Sequence, residues 1–156
     1  MKSRRIKLLI SIAIPLLGGA LVSLSGRSGQ AVFDTLNKPP LSPPAWVFPV
    51  VWTILYILMG IASYMIYTSD AEAAEKNKAL SVYAAQLVFN FIWPTLFFGC
   101  RLYTLAFVWL VLLWLLILIT SIRFERISKT ASELLLPYLI WTAFAGYLNL
   151  ATAILN

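Results

Sequence analysis

Apolar and polar positions divide the chain into five long uncharged runs separated by short clusters of charge. The runs cover residues 8–26, 39–69, 79–100, 102–122 and 134–156, with lengths of 19, 31, 22, 21 and 23 residues. A helix of about 20 apolar residues crosses the hydrocarbon core of a bilayer, and a helix satisfies its backbone N–H and C=O groups within itself, as that solvent demands. The pattern predicts an all-α integral membrane protein, a five-transmembrane-helix bundle. It reads as a single membrane domain over residues 1–156, with helices at about 6–26, 44–68, 79–99, 102–123 and 132–154 and a loop at 27–43.

Within the runs, helical spacing places particular side chains on common faces. Five prolines crowd into residues 39–49. Pro39, Pro40, Pro43 and Pro44 enforce an extended approach, whereas Pro49 fits a first helical turn. Trp52 and Tyr56 follow four residues apart, and Met59 and Ser63 continue their stripe. The stiff loop is read as closing a pocket between the helices, with Trp52 and Tyr56 looking into it. Phe33 and Leu36 in the loop pack onto the bundle, either as a lid over a ligand or as an interfacial anchor. In the third helix Gln86, Asn90, Trp93 and Phe97 share a face. Amides are costly against lipid, so that face points inward, to a helix–helix hydrogen bond or to a ligand wall. The fourth helix is apolar until Thr120 and reads as packing or lipid-facing. The fifth aligns Tyr138, Trp141, Ala145, Leu148, Asn149 and Thr152, with Pro137 bending its early part and small Ala145 beside Trp141 leaving space. Residues 1–26 share the basic start, apolar run and small residues of a cleaved signal peptide. They are taken as the first membrane helix, with a kink at Pro15 and a Gly19-x-x-x-Ser23 packing face.

Composition sharpens this picture. The chain is 61% hydrophobic and 12% charged, where soluble domains hold about half and a quarter. The net charge of +6 sits at helix ends rather than on one surface, which argues against nucleic acid. If the N-terminus is cytoplasmic, the inner segments carry nine Lys and Arg and the outer ones three, Arg27, Lys38 and Arg101. That asymmetry fits the rule that positive loops stay on the side of synthesis. The absence of histidine removes the commonest metal ligand and general base, so no metal site is expected. Cys100, the single cysteine, forms no internal disulfide. No ionisable group lies in mid-membrane, which disfavours a pump or ion channel. Large rings and neutral hydrogen-bonding groups on the inward faces suit a flat, hydrophobic, aromatic ligand. Any acidic groups on that ligand would meet Arg27, Lys38 or Arg101.

Three segments together carry a resemblance. They are Leu36-x-Lys38-Pro39, Pro43-Pro44-x-Trp46 and Trp52-x-x-Leu55-Tyr56-x-x-Met59-Gly60; then Gln86-Leu87-x-x-Asn90-x-x-Trp93-Pro94-x-x-Phe97-Phe98-Gly99; then Leu135-x-Pro137-Tyr138-x-x-Trp141-x-Ala143-Phe144-Ala145-x-x-Leu148-Asn149. In this order and spacing the chain, from Pro15 to Asn149, resembles the translocator protein family. That family is also called tryptophan-rich sensory protein or the peripheral benzodiazepine receptor family.

The resemblance implies a five-helix bundle, usually a homodimer, whose pocket beneath the first loop binds porphyrins such as protoporphyrin IX, and isoquinoline carboxamide and benzodiazepine drugs. Carried over, the pocket includes Trp52, Tyr56, Asn90, Trp93, Trp141 and Ala145; Asn149 joins the expected ligand-binding set from its place on the inward face. For bacterial members the resemblance implies light- and oxygen-dependent degradation of protoporphyrin, with Trp52 and Trp141 as electron donors or radical carriers. Porphyrin would be ligand or substrate, with no covalently bound cofactor, and membrane lipid the surrounding partner. The implied location is a bacterial cell membrane, multi-pass, with the N-terminus cytoplasmic. Two departures stand out. The chain ends LNLATAILN, without the tyrosine and basic residue of the animal members' sterol pattern. The tryptophan usual in mid-loop is Leu41. The alternatives are a carrier of porphyrin, lipid or sterol across the membrane, or a stress-sensing scaffold without catalysis. Five helices without internal repeats count against the carrier.

Overall fold

The computed structural model describes residues 2–25 and 29–156, and among them all regular structure is helical, without strands. Helix α1 spans Lys2–Ser25, α2 Gly29–Thr35, α3 Val47–Tyr67, α4 Ala73–Pro94, α5 Tyr103–Glu125, α6 Lys129–Glu133 and α7 Leu136–Leu155. Helices α1, α3, α4, α5 and the α6–α7 segment are each long and apolar enough to cross a membrane. The protein is a five-helix membrane bundle.

Several boundaries differ from the expected ones, each for a local reason. The loop expected at 27–43 contains α2, and α3 begins at Val47 rather than at 44. Pro43 and Pro44 keep the chain extended there, and a turn from Pro44 O to Val47 N, 3.0 Å, starts the helix. Helix α4 begins at Ala73, six residues before the expected start, because its alanine-rich, charged first turns favour helix and extend beyond the apolar run. The segment expected as one helix from 132 divides into α6 and α7. Pro137 cannot donate to the carbonyl of residue 133, so it sits in the first turn of a new helix rather than bending an existing one. Ser128 caps α6, its Oγ accepting from Ala131 N at 3.3 Å. α1 runs unbroken through Pro15.

Pro94 ends α4 by a different route. Its missing N–H widens the next turn into a π-helical one over Thr95–Gly99, closed by Cys100 N to Thr95 O at 2.8 Å. The turn carries Phe97 into the interior, stacked on Trp93 at 5.2 Å and edge-on to Tyr103 at 5.1 Å.

Close backbone packing joins α1 to α3, α4 to α5, and α5 to α7. Gly60 makes the first pairing possible, since a Cβ there would lie 2.5 Å from Ile12 Cα and 2.8 Å from Ser11 O. Gly18 and Gly19 of α1 give way to the rings of Phe91 and Tyr56. Helix α5 is the packing element, with Ala106, Leu110, Leu113, Ile117 and Phe124 buried. Its indoles are tied down, Trp109 Nε1 donating to Phe89 O at 2.9 Å and Trp114 Nε1 to Leu139 O at 3.1 Å. Helix α7 meets α3 and α4 differently, through long side chains rather than close backbones.

The 36–46 segment lies across the end of the bundle where the chain terminates. Asn37 N donates to Asn156 Oδ1 at 3.0 Å, Asn156 Nδ2 to Asn37 O at 3.2 Å, and Tyr147 OH to Pro40 O at 2.9 Å. Helix α2 rests on the π turn, with Val32 buried. Leu41 adopts φ 66° in the turn closed by Ser42 N to Pro39 O at 3.3 Å, and its side chain is 81% exposed. Leu41, where the resemblance implies a tryptophan, therefore points away from the bundle.

Candidate functional site

Three helices contribute the inward-facing aromatic and amide groups. Along α3, Phe48, Trp52 and Tyr56 follow one another at four-residue steps, half-buried, above the fully buried Met59. On α4, Gln86 and Asn90 are buried one turn apart. On α7 the buried stripe is Tyr138, Thr142, Ala145, Leu148, Asn149 and Thr152, and Trp141 stands at its edge, facing α3.

A chain of hydrogen bonds ties these helices together. Tyr56 OH donates to Asn90 Oδ1 at 2.7 Å, and Asn90 Nδ2 donates to the Tyr138 hydroxyl oxygen at 2.8 Å. Tyr138 OH in turn donates to Gln86 Oε1 at 2.8 Å, and Gln86 Nε2 reaches Met59 Sδ at 3.9 Å. Buried amides in a membrane bundle must find such partners. Tyr138 is the hub, because its hydroxyl is both acceptor and donor.

Aromatic contacts extend the network outward. Trp52 lies 5.6 Å from Tyr56 and edge-on to Tyr138 at 6.1 Å, between centroids. Trp141 meets Phe48 at 5.9 Å and Phe144 at 5.6 Å, and Phe48 meets Phe33 of α2 at 5.4 Å. A line of rings thus runs from beneath the capping segment to Trp141. The Trp141 Nε1 hydrogen is buried and has no hydrogen-bond partner. An unpaired buried donor costs about 1–3 kcal/mol, so this indole is held against its own hydrogen-bonding preference.

The structure brings Trp52, Tyr56 and Asn90 together around Tyr138 and joins Trp141 to them through Phe48 and its own helix. Trp93 and Asn149 form a second group. Trp93 Nε1 donates to Asn149 Oδ1 at 3.0 Å and Asn149 Nδ2 to Tyr103 O at 2.8 Å, which clamps α4, α7 and the start of α5. Ala145 is buried between the two groups in sequence, one turn beyond Trp141 and one before Asn149. Among the cations expected near the outer mouth, Lys38 Nζ lies 3.5 Å from Asp34 Oδ1 and 4.5 Å above the Phe33 ring. Arg101 is exposed with φ 55°, and Arg27 lies outside the described residues. The expected site set left out Tyr138, Gln86 and Phe48. Gln86 shared the Asn90 face, and Tyr138 lies one turn before Thr142 and Trp141, but neither spacing signals a hydroxyl that pairs two amides at once.

Chemically, the arrangement offers flat apolar surfaces, neutral donors and acceptors and, among the described residues, no charged group at depth. Residues 11–155 match the TspO/MBR family. The chain is 44% identical over 124 residues to tryptophan-rich protein TspO of Chlorobaculum tepidum, covering 80% of this chain and 78% of that protein. The chain belongs to the TspO/MBR family. It is also 41% identical over 138 residues to the translocator protein of Bos taurus, covering 87% and 82% of the two chains. Tryptophan-rich sensory protein of Cereibacter sphaeroides is 40% identical over 124 residues, covering 80% and 76%. Family membership and the five apolar helices make this TspO/MBR protein an integral multi-pass membrane protein.

Proposed function

We propose that this TspO/MBR protein binds a tetrapyrrole such as protoporphyrin IX between α3, α4 and α7 and promotes its light- and oxygen-dependent degradation. The observation that carries the reading is the Trp52–Tyr56–Asn90–Tyr138–Trp141 assembly, rings and neutral polar groups converging from three helices under a capping segment. Flat apolar faces suit the macrocycle and neutral amides fix its orientation. Lys38, paired with Asp34 at 3.5 Å and lying over the Phe33 ring, is the cation proposed to meet carboxylates of the ligand. The porphyrin absorbs the light and dioxygen supplies the oxidising equivalents. The chain's share is to hold the ring and to let Trp52 and Trp141 carry an electron hole. The same apolar faces are proposed to admit benzodiazepine and isoquinoline carboxamide drugs.

The proposed setting is a homodimer in a bacterial cell membrane with the N-terminus cytoplasmic, supported by the excess of Lys and Arg on the α1 N-terminal, α3–α4 and α5–α6 ends. Titration with protoporphyrin IX, read by tryptophan fluorescence quenching in detergent, tests the binding. The wild type is expected to saturate at one porphyrin per chain and Ala145→Leu to bind at least tenfold more weakly. Equal affinity in the two proteins would move the site away from α7.

A further inference from the structure

We infer that the cleft between α3 and α7 is a membrane-facing vestibule through which a flat apolar ligand enters from the bilayer, with the Trp141 indole as its inner wall. This rests on the binding reading above and adds where the ligand waits and by which side it arrives. The cleft has a volume of about 580 Å³ and is lined by Val51, Ile54, Pro137, Ile140, Trp141 and Phe144, among others. That volume is in the range of small-molecule sites. At its mouth Ile54 is 52% and Ile140 71% exposed, both inside membrane-spanning segments, so the mouth opens on lipid rather than on water.

The two possible approaches to the buried rings are closed differently. Over the end of the bundle, the capping segment is tied down by the Asn37–Asn156 pair and by Tyr147 OH on Pro40 O. Along the α3–α7 seam no hydrogen bond joins the two helices among the described residues, and the closure consists of ring contacts, Phe48 with Trp141 and Trp52 with Tyr138. Lipid solvates separated apolar rings as well as they solvate each other, so such a seam opens more readily in a bilayer than a polar tie does. The Trp141 Nε1 hydrogen, buried and unpartnered, adds direction. Rotation of the indole opens the wall and offers that donor to an acceptor on the incoming molecule. The occupant is therefore an aromatic or macrocyclic molecule dissolved in the bilayer and carrying a hydrogen-bond acceptor, rather than a plain hydrocarbon chain.

The test uses a Cys100→Ser background with Ile54→Cys and Ile140→Cys, reconstituted in lipid nanodiscs and compared before and after bridging by a bifunctional thiol reagent. Protoporphyrin IX is the probe, followed by stopped-flow tryptophan quenching. An obstacle on the path that does not touch the bound ligand slows arrival and departure alike. Bridging is expected to lower both rates at least tenfold and leave Kd within twofold. Unchanged rates after bridging, above all with faster association in Tyr147→Phe, would place the entrance beneath the capping segment and overturn the inference alone. Failure of the unbridged protein to quench at all would overturn the binding reading, and this inference with it.

Discussion

The α4–α5–α7 side of the bundle and the α3–α7 side use tryptophan in opposite ways. On the first, Trp109, Trp114 and Trp93 each donate their N–H to a protein oxygen at 2.9–3.1 Å, and Trp109 stacks on Phe89 at 4.2 Å. On the second, Trp141 keeps its N–H buried and unpaired beside a cleft, and the helices touch through rings. An indole whose donor is satisfied by an oxygen of the protein is a strut. One whose donor is left over is available to a ligand. The count of tryptophans alone, six in this chain, does not distinguish the two.

Substitutions can break that contrast, and the largest effect on stability is expected where helix backbones meet. Gly60→Val drives a side chain into the α1 backbone at Ser11 and Ile12 and is expected to cost about 3 kcal/mol, read as loss of cooperative unfolding of the bundle in detergent. Tyr138→Phe leaves Asn90 Nδ2 and Gln86 Oε1 without their shared partner and is expected to lower stability by about 2 kcal/mol in the same measurement. A change below a few tenths would mean that the amides re-pair without the hydroxyl.

The tryptophans sharpen the comparison further. Trp114→Phe removes a satisfied bond to Leu139 O and is expected to cost about 1 kcal/mol with porphyrin affinity unchanged. Trp141→Phe removes an unsatisfied donor, so its stability is expected to stay within about 0.5 kcal/mol of wild type. Its rate of porphyrin loss under light should nevertheless fall by at least tenfold. The reverse pattern, a destabilising Trp141→Phe and a photochemically silent one, would make Trp141 another strut.

Much of the fold was legible because the membrane imposes a coarse code. Uncharged runs of the right length name the spans whatever their side chains do, and Gln86 and Asn90 could not face lipid. Tyr56 and Asn90 were placed inward by spacing alone, and the structure joins them at 2.7 Å. The details that escaped depend on tertiary partners or on single backbone groups. The split before Pro137 and the π turn after Pro94 turn on where one missing N–H falls relative to neighbouring turns, and the helix within the first loop is set by what it rests on, the π turn. The pairing of Trp93 with Asn149 was hidden because a residue on an inward face reads the same whether it clamps helices or lines a pocket. Tyr138 was visible on the right face, but its role as the shared partner of two amides needs three helices at once.

The most direct test of the account is illumination of protoporphyrin IX in air with the wild type and with the Trp52→Phe, Trp141→Phe double variant, following porphyrin absorbance and product formation at equal bound porphyrin. The account predicts that the wild type converts the porphyrin to a new product faster than free porphyrin bleaches, and that the double variant binds but falls back to the free rate. Equal conversion by the two proteins, or no acceleration by either, would contradict it.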